Sequence, residues 1–120
     1  METQEKIQKV EDIARKNGWS VNVEDEENDD IRFEFQRYTM HGQDFNFNAT
    51  MSNGDVGTLI DDIRQYIGDF DPDYEAFLWI GDDGHGKCGA PYHIKDIVED
   101  MEDAEEKICE LLNALEVEFL

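Results

Sequence analysis

Positive charge is scarce in this chain. Ten Lys and Arg stand against 31 Asp and Glu, a formal net charge of −21 on 120 residues. Such a surface repels nucleic-acid phosphates and anionic membranes, which excludes binding to either by charge attraction. Proline and cysteine are equally sparse, at two residues each. That rules out a Pro-rich linker and a disulfide framework, and Cys88 and Cys109 read as free thiols. Long apolar runs are missing too. The longest, Ala76 to Ile80, is far below the roughly 20 residues a membrane span needs, and Met1 to Val10 contains no apolar signal-peptide core. The expectation is a cytosolic protein.

What the chain does contain is enough to build one core. Apolar residues make up 39%, with seven Phe, four Tyr and two Trp, and a chain of this length forms one domain over residues 1–120. The charge is unevenly placed. Residues 1–16 hold four acids (Glu2, Glu5, Glu11, Asp12) and four bases (Lys6, Lys9, Arg15, Lys16), so the entire excess lies on residues 17–120. Self-repulsion of that size weakens a compact fold and exceeds what solubility requires. A role outside folding, recognition of a basic protein surface, is the inference.

Periodicity lays out the elements. Thr3 is placed to cap a first helix with Ile7, Val10, Ile13 and Ala14 on one face, stopped by Asn17-Gly18. Trp19, Val21 and Val23, then Ile31, Phe33 and Phe35, then Phe45, Phe47 and Ala49 alternate with polar residues, which predicts three strands with one apolar face each. Their short connections favour an antiparallel meander. After Asn53-Gly54, Asp55 caps a second helix with Val56, Leu59, Ile60, Ile63, Tyr66 and Ile67 on one stripe, ending at Gly68. Ala76 to Ile80 reads as a short fourth strand. A last helix from about Tyr92 to Leu115 buries Ile94, Ile97, Val98, Met101, Ala104, Ile108, Leu111, Leu112 and Leu115. The fold class is α+β: a three- to four-stranded antiparallel meander with three helices, in the order α-β-β-β-α-(β)-α.

Catalytic and cofactor motifs do not hold up. Gly81 to Cys88 fits the phosphate-loop pattern up to its last position, but Cys88 replaces the magnesium-binding hydroxyl, Pro91 separates the loop from its helix, and Asp82 and Asp83 would face phosphate with like charge. His85, Cys88 and His93 are potential metal ligands whose spacing matches no standard finger. Asp69, Asp71, Asp73 and Glu75 begin like a calcium loop, but Tyr74 and Ile80 occupy the positions that need Gly and Glu. His41 falls in a turn and reads as a solvated polar residue, while Trp19 and Trp79 read as core. No enzyme, no cofactor and no metal are expected.

The acids are patterned. Asp96, Glu99, Asp103, Glu106 and Glu110 recur every three or four residues opposite the apolar stripe of the last helix, flanked by Glu102 and Glu105 and opposed only by Lys95 and Lys107. At about 1.5 Å rise per residue this ladder spans roughly 21 Å. A phosphate strand advances about 3.4 Å per nucleotide, so the spacing is comparable. Like charges at i,i+4 weaken a helix, so the row has a cost that interspersed Lys would remove. Glu24, Asp25, Glu26, Glu27, Asp29 and Asp30 crowd the first predicted hairpin turn. With the ladder and the Asp69 to Glu75 loop, they are expected to form a distributed carboxylate array resembling a nucleic-acid backbone.

Gly42-Gln43-Asp44-Phe45, Phe77-Leu78-Trp79, Gly84-His85-Gly86-Lys87, Gly89-Ala90-Pro91-Tyr92 and Glu99-Asp100-Met101-Glu102 resemble stretches of small acidic proteins of gut bacteria and their mobile elements. The resemblance covers most of the chain. That group has no established activity and carries no catalytic residues over to these positions. The setting implies a counter-defence role, against restriction or CRISPR effectors. The expectation is an acidic binding protein that occupies the basic cleft of a nucleic-acid-binding or defence protein. The alternative is a non-catalytic interaction module that uses its aromatic sheet or its glycine loop.

Overall fold

The structure is a computed structural model that describes residues 2–82 and 93–120. Helix α1 (Thr3–Lys16) leads into strands β1 (Ser20–Asp25), β2 (Asp30–Tyr38) and β3 (Asp44–Ser52), followed by helices α2 (Val56–Gly68), α3 (Pro72–Leu78) and α4 (Ile94–Phe119). The strands form an antiparallel sheet in the order β1-β2-β3, the α+β meander that alternation and short turns predict.

Register puts Val21 opposite Phe35, Phe35 opposite Phe47, and Phe33 between Val23 and Ala49. Side chains alternate across a strand, so these residues share one face. That face is buried in a single cluster with the apolar stripes of the helices. Trp19 sits edge-on to Phe47, 5.5 Å between ring centroids, and Phe47 stacks on Phe35 at 5.1 Å and on Tyr66 of α2 at 4.9 Å. Asn22, Asn46 and Asn48 on the opposite face are exposed, so the helices cover one side of the sheet only.

Local chemistry sets the joints. Asn17 caps α1, and Gly18 (φ +88°) turns the chain so that the Trp19 N–H returns to the Ala14 carbonyl at 3.0 Å. Asn53 and Gly54 both have positive φ, and the Asp55 N–H closes on the Ser52 carbonyl at 3.0 Å. The Asp55 carboxylate then accepts from the Gly57 N–H at 2.9 Å as the α2 cap. Helix α2 also finishes the sheet edge: Asp62 accepts from the Thr50 N–H and Thr58 Oγ1 from the Ser52 N–H, each at 2.8 Å. An uncovered edge would expose those donors to pairing with another chain.

Four sequence expectations need correction. The segment read as a fourth strand is helical: Ala76 to Leu78 end α3 and Trp79 is its C-cap. Asp71 accepts from the Asp73 N–H at 3.1 Å and Pro72 takes the first helical turn, a helix-start signal that outweighs a short apolar run. The observed order is therefore α-β-β-β-α-α-α. Thr3 does not cap α1, because Glu2 holds that position without a side-chain bond, while Thr3 Oγ1 lies against Gly54. Ile94 is exposed rather than buried, since it opens α4 ahead of the packed stripe, and α4 continues to Phe119. Trp19 and Trp79 do pack the core as expected, but from a strand entry and a helix end rather than from within strands. The glycine-rich stretch, with Cys88 and His85, lies outside the described residues; Cys109 is free and exposed.

Truncating Phe35 to Ala should lower stability by about 3–5 kcal/mol, because its site is closed on every side. Asn46 to Ala on the open face should change it by less than about 0.5 kcal/mol. Urea unfolding followed by circular dichroism checks both.

Candidate functional site

The hairpin joining β2 to β3 is tightly built. The Thr39 N–H donates to the Gln43 carbonyl at 2.9 Å, the Gly42 N–H to the Thr39 carbonyl at 3.0 Å, and the Gln43 N–H to Thr39 Oγ1 at 2.8 Å. This closure turns His41 onto the first turns of α4. Its backbone N–H donates to Asp100 Oδ1 at 2.8 Å, and its ring Nε2 lies 2.9 Å from Glu99 Oε2 and 4.0 Å from Asp96 Oδ1. On a helix, Asp96, Glu99 and Asp100 are neighbours at i, i+3 and i+4, so one turn brings two carboxyl groups to the His41 ring and a third to its backbone N–H. The hydrogen bond to Glu99 raises the His41 pKa, with burial opposing it and the charges of Asp100, Asp96 and Glu99 adding to it.

Asp100 is fully buried, and its second oxygen, Oδ2, has no hydrogen-bond partner among the described residues. The amide of Gln43 in the same hairpin is also buried, with no partner for either atom among the described residues. Buried polar groups are nearly always paired, because leaving one unpaired costs about 1–3 kcal/mol. His41 and Asp100 were not singled out from the sequence as a pair. Asp100 sits three residues after Ile97 and four before Ala104, which places an acid on the border of the buried stripe. Helical periodicity could have flagged it. Its contact with His41 spans 59 residues and leaves no local signal.

The acidic ladder is thus divided. Asp96 and Glu99 face His41. Asp103 and Glu110 flank Lys107, at 4.0 and 3.9 Å from its Nζ. Glu102, Glu106 and Glu110 are exposed, and a shallow groove beside the exposed Met40 is lined by Glu99, Glu102, Asp103, Glu105 and Glu106. Beyond the ladder, Glu116 pairs with Arg64 of α2 at 3.3 Å and Glu118 with Lys9 of α1.

The second acidic block lies elsewhere. A short 3-10 helix, Glu27–Asp29, forms the tip between β1 and β2, with Asn28 and Asp29 at φ +63° and +64°. Glu24 and Glu26 both reach Arg32, at 2.7 and 3.3 Å. Asp25, Glu27 and Asp29 are exposed, and Asp25, Glu26, Asp29 and Asp30 line a groove with Asn53 and Gly54. This tip and the His41 hairpin stand at opposite ends of the nine-residue β2, about 30 Å at about 3.3 Å per residue. The N-terminal part of the ladder and the acidic tip are therefore separate patches.

Of the metal candidates read from the sequence, His93 is the exposed N-cap residue of α4, while His85 and Cys88 lie outside the described residues. The Asp69 to Glu75 acids bracket the α2–α3 corner, where Asp71 serves as a cap and burial raises the Glu75 pKa. The sheet's Phe residues all face the core, so its open face offers polar side chains and, of the aromatics, the exposed Tyr38. None of the described helices is long and apolar enough to cross a membrane. Comparisons with families of known proteins, with curated proteins and with solved structures find no match to the chain.

A histidine whose folded pKa is raised stabilises the fold fully below its unfolded value of about 6.5, and that stability is lost as pH rises through the folded value. The stability gap between the protein and its His41→Gln variant should therefore be larger at pH 6 than at pH 9. Paired urea titrations at the two pH values check the sign; an equal or widening gap toward pH 9 would contradict the ion pair.

Proposed function

We propose that the protein is an acidic binding protein whose α4 face occupies the basic cleft of a nucleic-acid-binding or defence protein, as a DNA mimic does. The observation that carries this reading is the outward row Glu102, Glu106 and Glu110 on α4, with Asp103 beside it. Spaced by four residues, these side chains advance about 6 Å per step along one face. Lys and Arg of a cleft evolved for phosphates would exchange their contacts to these carboxylates. A rigid helix presents them without the ordering cost of a flexible acidic tail.

The acidic tip of the first hairpin, about one sheet length from the His41 hairpin, is a second anionic contact, suited to a long basic surface rather than a pocket. The expected kinship with acidic proteins of bacterial mobile elements would make that target a restriction or CRISPR effector. Rim charges act mainly on association rate and salt dependence, so the complex should form fast and weaken steeply with ionic strength.

The alternative is an adaptor that binds through the open sheet face, where Tyr38, Asn46 and Asn48 are exposed. Its binding would be indifferent to salt. Capture of partners from bacterial lysate at low salt, elution by a salt gradient and competition with duplex DNA separate the two. A nuclease, restriction subunit or other DNA-binding protein released by both salt and DNA supports occlusion of a basic cleft, and a partner indifferent to both refutes it.

Glu102, Glu106 and Glu110 changed together to Gln should weaken that complex about 3- to 150-fold, at about 0.2–1 kcal/mol for each exposed pair. The fold should remain intact, because none of the three is buried. Unchanged affinity of the triple variant would remove α4 from the interface.

A further inference from the structure

The corner where the β2–β3 hairpin meets α4 brings together more acceptors than the described residues satisfy. His41 Nε2, Asp96 and Glu99 each offer one ligand atom, and all three lie within 4.8 Å of one another. They are half-exposed, so an ion could enter from solvent. Beside them Asp100, with no exposed surface, uses Oδ1 to accept from the His41 N–H and leaves Oδ2 without a partner among the described residues. One imidazolium cannot match three carboxylates, and a buried carboxylate is costly unless a cation or further hydrogen bonds compensate it.

We propose that His41, Asp96 and Glu99 bind a divalent first-row transition-metal ion of the zinc class, with Asp100 supporting the site from behind. Bonds of about 2.0–2.2 Å at tetrahedral angles put ligand atoms about 3.3–3.6 Å apart. The observed 2.9 Å from His41 Nε2 to Glu99 and 4.0 Å to Asp96 bracket that spacing, so side-chain rotation within the corner completes the set. One nitrogen and two oxygens favour a borderline ion over a soft one, and the imidazole disfavours magnesium and calcium, which take oxygen. The Asp100 carboxylate holds the His41 backbone, and so the direction of the ring, in the way outer partners orient metal ligands. A bound ion would staple the hairpin to α4, replacing a pH-sensitive contact by a coordinate one. Binding requires neutral imidazole, so it releases a proton from the ion pair present at lower pH.

The site shares Glu99 with the groove beside Met40 but uses none of Glu102, Glu106 and Glu110, the row proposed to meet a partner. Its test is calorimetric titration of the chelator-stripped full chain with zinc chloride at neutral pH, with magnesium in excess to occupy scattered surface carboxylates. One equivalent of zinc is expected, weakened at least about tenfold by His41→Asn and by Glu99→Gln separately. Glu5→Gln, a charge-matched change on α1, should leave it unaltered. In the unmodified protein the His41 ring protons should shift in NMR spectra as zinc is added, a readout that needs no variant to fold. Binding that survives both substitutions, that disappears only in Cys88→Ser, or that magnesium abolishes altogether would overturn the assignment, as would unmoved His41 resonances.

Discussion

Burial of one sheet face is the constraint on which everything else in this molecule rests. Phe33, Phe35, Phe45 and Phe47, together with Trp19, put a large aromatic area on one side of three strands. Each such side chain removed from water contributes about 1.5–3 kcal/mol, and only helices packed on that side can supply the cover. With 31 acids to accommodate, the chain keeps nearly all of them on the rim and on the outer sides of helices, where solvent screens their repulsion. The division between apolar stripe and acidic face on α4, Asp100 apart, follows from that single requirement.

Among the described residues Asp100 is the exception and carries the one conspicuous electrostatic tension. It lies inside the boundary that the other acids respect, fixed by the backbone of a hairpin distant in sequence. The hairpin is consequently part of the same structural unit as α4, and His41 joins the rigid sheet to the helix that carries the exposed carboxylates. Whatever engages Glu102 and Glu106 meets a surface whose orientation is set by that joint.

Much of the architecture was legible in the chain. Period-two alternation gave the three strands and their common apolar face, because a half-buried strand can satisfy both water and core only in that pattern. The Asp55 cap and the Asn53-Gly54 turn were readable from residue chemistry alone. The Ala76 to Ile80 segment was misread because a five-residue apolar run carries no period, and the decisive signal, Asp71-Pro72, lies before it. Thr3 was a plausible cap whose hydroxyl is instead placed against Gly54, a neighbour 51 positions away in sequence.

By itself the sequence determined the charge, the amphipathic faces and the local turns, since each depends on neighbours within a few residues. It also fixed the acids of the ladder on one side of α4, because helical geometry makes that a matter of counting. Only tertiary structure decided which of them remain open. Asp96 and Glu99 turn to His41, Asp103 and Glu110 flank Lys107, Glu102 and Glu106 face water, and the acidic tip stands a sheet length from the hairpin. Those outcomes depend on contacts between residues far apart in the chain, where the packing of the apolar face dictates which polar groups meet.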